Sequence, residues 1–131
     1  MTMKRSHVLR LLAAGSLSVA LVATSAGAAH AGNFKNRKIY VQPSGVTAGK
    51  ASFTAKGDRL TICDTVADGY SVSVTVYDDD NKRKKIYRLA VGGKGKCKTS
   101  TKNLVDGHRH SFWSDTTGST GGMGRIGYEV A

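Results

Sequence analysis

Residues 70–77 read Tyr70-Ser71-Val72-Ser73-Val74-Thr75-Val76-Tyr77, which puts three valines on one side of an extended backbone and Ser71, Ser73 and Thr75 on the other. Such alternation marks a half-buried strand of an antiparallel sheet. Residues 85–91 repeat the pattern, with Tyr87, Leu89 and Val91 on the expected core face. Between the two runs, Asp78 to Arg83 is polar throughout and of hairpin-loop length, so a β-hairpin is predicted. Shorter alternating runs follow the same rule. Residues 37–41 carry Ile39 and Val41, residues 50–56 carry Ala51, Phe53 and Ala55, and residues 59–64 carry Leu60 and Ile62. Residues 97–102 are polar and read as an edge. Residues 108–114 contain Phe112 and Trp113, and residues 125–130 carry Ile126, Tyr128 and Val130.

Gly57-Asp58, Asp68-Gly69, Gly92-Gly93, Asp106-Gly107 and the segment 118–124 supply the breaks. No stretch sustains a helical stripe, and glycine and β-branched residues are frequent. Seven or eight short strands therefore predict an all-β fold: a small antiparallel β-sandwich of immunoglobulin-like size, or a barrel. Residues 33–36 read as a frayed leader, and no internal repeat is apparent.

The chain has 131 residues, 20 Lys+Arg against 9 Asp+Glu, and a net charge of +11. The beginning of the chain changes how that charge is counted. Lys4, Arg5 and Arg10 precede an uncharged, apolar and small-residue stretch, and Ala29-His30-Ala31 offers small residues where a signal peptidase reads. Residues 1–31 are thus expected to be a secretory signal cleaved before Gly32, with residues 32–131 as one domain. A membrane anchor is the competing reading, but glycine, serine, threonine and alanine dilute the stretch. Cleavage leaves 100 residues and removes three cations, so the net charge falls from +11 to +8. The expected product is a basic, secreted, extracellular domain with no transmembrane segment.

Cys63 and Cys97 both lie beyond the signal. An even count in an exported chain favours a disulfide. The alternative, a pair of metal-ligating thiolates, lacks any CxxC spacing.

The segment Gly57-Asp58-Arg59-Leu60-Thr61-Ile62-Cys63-Asp64-Thr65-Val66-Ala67-Asp68-Gly69-Tyr70-Ser71-Val72 resembles a group of small secreted actinomycete proteins carrying GDxLxxCDTxADGxSV and a later cysteine before a polar strand. The resemblance runs from Ala51 to Cys97 and extends toward residues 103–107. Members often carry a second cysteine pair nearer the C-terminus, which this chain lacks. The resemblance implies secretion, a β fold and the disulfide, and it brings no catalytic residue.

Candidate chemistry is sparse. Asp64, Asp68 and Asp78-Asp79-Asp80 are conceivable calcium ligands, but the spacing does not match an EF-hand, and turn hydrogen bonds account for them as well. His108 and His110 would share a strand face about 7 Å apart, which suits a shared metal but leaves the third ligand unnamed. A polar outward face is the other reading of the same pair. A small ribonuclease would need a carboxylate such as Asp106 or Asp115 beside a histidine, the only glutamate being Glu129 near the end. No Gly-x-Ser-x-Gly elbow occurs, and residues 118–124 lack the ending of a phosphate loop. No cofactor is expected.

The cations cluster at Lys82-Arg83-Lys84-Lys85 and at Lys94, Lys96, Lys98 and Lys102. If extended, Lys94, Lys96 and Lys98 form a comb on one face that could meet a polyanion. Edge protection and solubility are the alternative use of such lysines. Aromatic interleaving is absent there, so sequence-specific nucleic-acid binding is not expected. The sequence thus points to a secreted, non-enzymatic binding protein, its partner an anionic cell-wall or envelope polymer or another extracellular protein. The alternatives are a secreted inhibitor or antimicrobial-type protein presenting the loop 115–124 and, further off, a small hydrolase.

Overall fold

The computed structural model describes residues 32–120 and 122–130. The expected export signal, residues 1–31, lies outside them. Among the described residues eight strands follow one another without a helix: β1 (Phe34–Val41), β2 (Val46–Thr54), β3 (Arg59–Asp64), β4 (Ser71–Asp78), β5 (Lys84–Gly92), β6 (Cys97–Ser100), β7 (Arg109–Thr116) and β8 (Gly124–Val130). They form two antiparallel four-stranded sheets, ordered β1-β2-β3-β6 and β5-β4-β7-β8. The chain runs β1-β2-β3 as a meander, crosses to the second sheet for the β4-β5 hairpin, and returns for β6. It then crosses again so that β7 pairs with β4 rather than with β6. This pairing of strands distant in sequence across two sheets is the Greek-key habit of immunoglobulin-type sandwiches.

The predicted alternation decides what each sheet buries. Val72, Val74 and Val76 of β4 are fully buried, and they meet Ile39, Phe53, Leu60 and Ile62 of the facing sheet in one cluster. At its centre Phe53 and Phe112 pack with ring centroids 4.7 Å apart, and Phe34 meets Phe112 edge-on at 5.1 Å. Aromatic pairs of this kind add about 0.5–1.5 kcal/mol each beyond the area they bury.

One expectation is corrected here. Residues 34–36 are not a frayed leader: Phe34 is 4% exposed and begins β1. The four polar residues after it conceal the strand, and register shifts between Phe34 and Arg37 and between Ile39 and Tyr40 let an edge strand expose them. In β8, a register shift between Phe112 and Trp113 on its partner turns Tyr128 outward, where it is 43% exposed. Gly127 takes the inward position instead, its Cα close to the Phe34 ring.

Cys63 and Cys97 sit opposite each other on β3 and β6 and form the disulfide. The bridge ties the four-residue edge strand β6 to its sheet. Asp64, next in sequence, is almost completely buried and takes the N–H of Gly93 at 2.8 Å and of Val66 at 3.1 Å. One carboxylate thereby fixes both the exit of β3 and the turn that leads into β6.

Replacing both cysteines by alanine is expected to lower unfolding stability by about 2–4 kcal/mol, because the bridge closes a long loop in the unfolded chain. Urea denaturation checks this, and the far-UV circular dichroism of the variant should keep its β signature.

Candidate functional site: an arginine–aromatic face

The outward side of β5-β4-β7-β8 is set by the same alternation that builds the core. Tyr77 of β4, Ser111 of β7 and Tyr128 of β8 share one row across the sheet. Arg88, Thr75, Trp113 and Arg125 share the next. Arg83 lies in the β4–β5 turn with a positive φ of 55° and returns over this surface.

The guanidiniums and rings interleave. Arg83 lies over Trp113 at 4.4 Å and over Tyr77 at 5.4 Å. Arg125 lies 4.1 Å from the Tyr128 ring centre and 5.7 Å from that of Trp113. Arg109 reaches Tyr128 at 5.5 Å. Each such pairing contributes about 0.5–1 kcal/mol at exposed positions. Trp113 is held further by hydrogen bonds: its Nε1–H donates to Ser111 Oγ at 3.1 Å, and Ser111 Oγ donates to Asp79 Oδ1 at 2.8 Å. Arg88 donates to Ser73 Oγ at 2.8 Å, so Ser73 and Thr75 are buried even on the outward side. Asp79 offsets part of the charge, lying 4.0 Å from Arg109.

Arg125 also lines a groove of about 650 Å³ between β1 and β8, together with Lys35, Arg37 and Lys38. The positive surface therefore continues from the sheet face around its edge. A guanidinium held over a ring loses little conformational freedom on meeting an oxyanion, and its planar fork suits phosphate, sulfate or carboxylate.

The lysine comb is not formed. β6 begins only at Cys97, and Gly93 to Lys96 makes a tight turn closed by Lys96 N–H to Gly93 O at 2.9 Å. Gly93 and Gly95 hold φ of 103° and 81°, left-handed values that break any extended run. Of the three lysines only Lys98 lies on a strand, opposite Ile62. The structure instead joins members of the two predicted clusters: Lys84, Lys85 and Lys102 line one recess of about 280 Å³ with Asp78 and Asn103. Lys82 stays on the hairpin tip, and Lys94 lies by the disulfide.

The histidines separate in role. β7 begins at Arg109, so His108 stands before the strand while His110 points into the core. Their rings stack at 6.5 Å. His108 Nδ1–H donates to both oxygens of Asp78, at 3.0 and 2.9 Å, and Asp78 also accepts the N–H groups of Asp80 and Asn81. Burial works against the Asp78 charge, but His108 and the Asn81 N–H outweigh it and hold the carboxyl below its ordinary value. His110 has no solvent exposure, and neither ring nitrogen has a hydrogen-bond partner. Burial pushes its pKa below the ordinary value, against the pull of Asp78.

The remaining acidic candidates serve the backbone. Asp68 accepts the Tyr70 N–H at 2.9 Å, Asp80 the Arg109 N–H at 2.8 Å, and Asp115 the Thr116 N–H at 2.8 Å. Asp106 is exposed in the turn before β7, and Asp115 lies on the outward side level with Ser73. Neither joins His110, which faces the core. Among the described residues no group of three or more His, Cys, Asp or Glu side chains is placed to hold a metal ion. The loop 115–124 is tied down by Thr117 N–H to Ser71 O and Thr120 N–H to Gln42 O, with Gly118 against the Tyr70 ring.

Arg88, Arg109, Arg125, Tyr77, Trp113 and Tyr128 were not legible as a site, because they come from four different strands. The signal was present in outline: Arg88 and Trp113 each occupy the polar side of an alternating run. Compared with family models, curated proteins and solved structures, the chain matches none.

The buried His110 generates a pH prediction. Its folded pKa is depressed, so the unfolded chain binds the extra proton, and stability is full above the ordinary 6.5 and lost as pH falls below it. The loss is at most about 1.4 kcal/mol per pH unit for one proton. Asp78 adds a second loss further down, as pH drops below its ordinary 3.8 toward its lowered value. Thermal unfolding between pH 7 and 5 should show Tm falling in the native chain and a flatter profile in His110→Leu.

Proposed function

We propose that this protein is a secreted, non-enzymatic β-sandwich that binds an anionic extracellular polymer through the outward face of β5-β4-β7-β8. The observation that carries the reading is the set of four arginines, Arg83, Arg88, Arg109 and Arg125, among Tyr77, Trp113 and Tyr128. Surface charge kept only for solubility needs no rings beneath it. Guanidiniums fixed over aromatic faces are preorganised donors, and preorganisation reduces the entropy lost on binding. Because Arg83 and Arg125 already cover Trp113, the ring is occupied, and the face offers N–H edges rather than a bare stacking platform. This favours a phosphate- or sulfate-bearing chain, such as an anionic cell-wall polymer, over sequence-specific recognition of bases. The groove beside Lys35, Arg37 and Lys38 gives such a chain a continuation.

Retention of the mature chain on a phosphate-rich cell-wall preparation tests the reading. Retention should fall as salt rises, with a log–log slope of several units, roughly one per phosphate neutralised. The pair Arg83→Ala and Arg125→Ala should lower the slope by about two and weaken retention severalfold more than Lys94→Ala with Lys96→Ala. Retention insensitive to salt, or equal loss from the two pairs, overturns the assignment to this face.

A further inference from the structure

Glu129 is the only glutamate in the chain. It lies in β8 opposite His110, on the inward side of its strand and half-buried. Burial raises its pKa, with Arg37 the one charge that draws it down. Among the described residues no ion pair reaches its carboxylate. That carboxylate rests against Gly32: a Cβ added to Gly32 would overlap Glu129 Oε2 and Cδ. The atoms met are the far end of the Glu129 side chain, so the carboxylate lies directly against the Gly32 backbone.

Gly32 is also the residue that follows Ala29-His30-Ala31, where the sequence predicts cleavage. Hydrolysis there breaks the Ala31–Gly32 amide with one water. The carboxylate stays on Ala31, and the nitrogen of Gly32 becomes an α-ammonium one bond from the Cα that touches Glu129. We propose that Glu129 is the receptor for the mature N-terminus, so that processing at Gly32 creates the cation that pairs with it. The proposal rests on the export reading and is independent of polymer binding.

The pairing has a structural consequence. Phe34, two residues on, packs on Phe53 and Phe112 and lies over Gly127, the inward neighbour of Glu129 along β8. An ion pair at Gly32 therefore fastens the start of β1, an edge of one sheet, to β8, an edge of the other. In the precursor the same nitrogen is a neutral amide, and a half-buried carboxylate lacks its cation. Processing thus completes the seam between the two sheets.

The test titrates the α-amino group of the mature chain beginning at Gly32, followed by NMR, beside the isosteric Glu129→Gln. An α-amino pKa about one unit above its ordinary 7.7–8.0 is expected in the native chain, a tenfold gain in proton affinity, and the ordinary value in Glu129→Gln. Because the folded value is raised, the stabilisation is full below the ordinary pKa and lost as pH rises through the raised one. A chain beginning one residue earlier, at Ala31, should lose several degrees of Tm at pH 6, while the same extension on Glu129→Gln should cost none. An α-amino group titrating alike in both chains, or an extension penalty that persists in Glu129→Gln, overturns the proposal. So does a secreted chain whose mass places its first residue elsewhere than Gly32. Retention on anionic polymer, measured on the same samples, is unaffected by any of these outcomes.

Discussion

Phe112 and Trp113 are neighbours in sequence, and an extended backbone obliges them to point to opposite faces. Phe112 completes the buried aromatic cluster with Phe34 and Phe53. Trp113 is thereby committed to the outward side, where Arg83 and Arg125 close over it. A one-residue slip of β7 against β4 would exchange the two rings, exposing the core residue and burying an indole with its arginines. Core and candidate site are thus two readings of one register. The site cannot be lost by register error without the fold being lost with it.

The crossings between sheets need a second kind of anchor, because turns there lack a ladder to hold them. Asp64 supplies one, accepting N–H groups from Val66 and Gly93 while its own N–H reaches Lys96 O at 2.9 Å. Asp78 ties the β4–β5 hairpin, whose Asp80 and Asn81 N–H groups it accepts, to His108 at the end of the crossing from β6 to β7. Asp58 takes the Leu104 N–H at 2.9 Å and fixes the path from β6 toward β7. Buried carboxylates satisfied by backbone donors are costly to disturb, since removing one leaves several amides without partners. The acids that resemble calcium ligands by clustering are therefore spent on holding loops in place.

Legibility followed locality. Val72 to Val76, Leu60 and Ile62, and the edge position of Cys97 to Ser100 are all set by alternation within a few residues, and the sequence reveals them. So is the disulfide, since the two cysteines of the chain have only one another as partners. Phe34 was hidden because four polar residues follow it on a strand whose bulges remove the simple alternation. Tyr128 leaves the side of Ile126 for the same reason, one bulge interrupting the alternation of β8. The lysine comb failed at Gly93 and Gly95, whose left-handed φ turns a linear pattern into a knot of short bonds. The arginine–aromatic face was invisible for a different cause: Arg83 and Trp113 meet only once β4, β5 and β7 are in register.

The division between arginine and lysine bears on what the charge is for. From residue 32 onward the chain has six arginines, and Arg83, Arg88, Arg109 and Arg125 gather on one outward sheet face. Most of the lysines lie at turns and on edge strands: Lys35 and Lys38 on β1, Lys84 and Lys85 on β5, Lys98 on β6, Lys94 and Lys96 between, while Lys50 sits on the inner strand β2 and Lys85 stands opposite Tyr77. Edge strands gain from lysine because a strongly hydrated ammonium discourages pairing with another chain. Solubility alone does not distinguish the two cations. A guanidinium, in contrast, stacks on rings and presents a planar fork of donors. The bias of arginine toward the ring-bearing face follows if stacking and forked hydrogen bonding, rather than charge alone, are what that face requires.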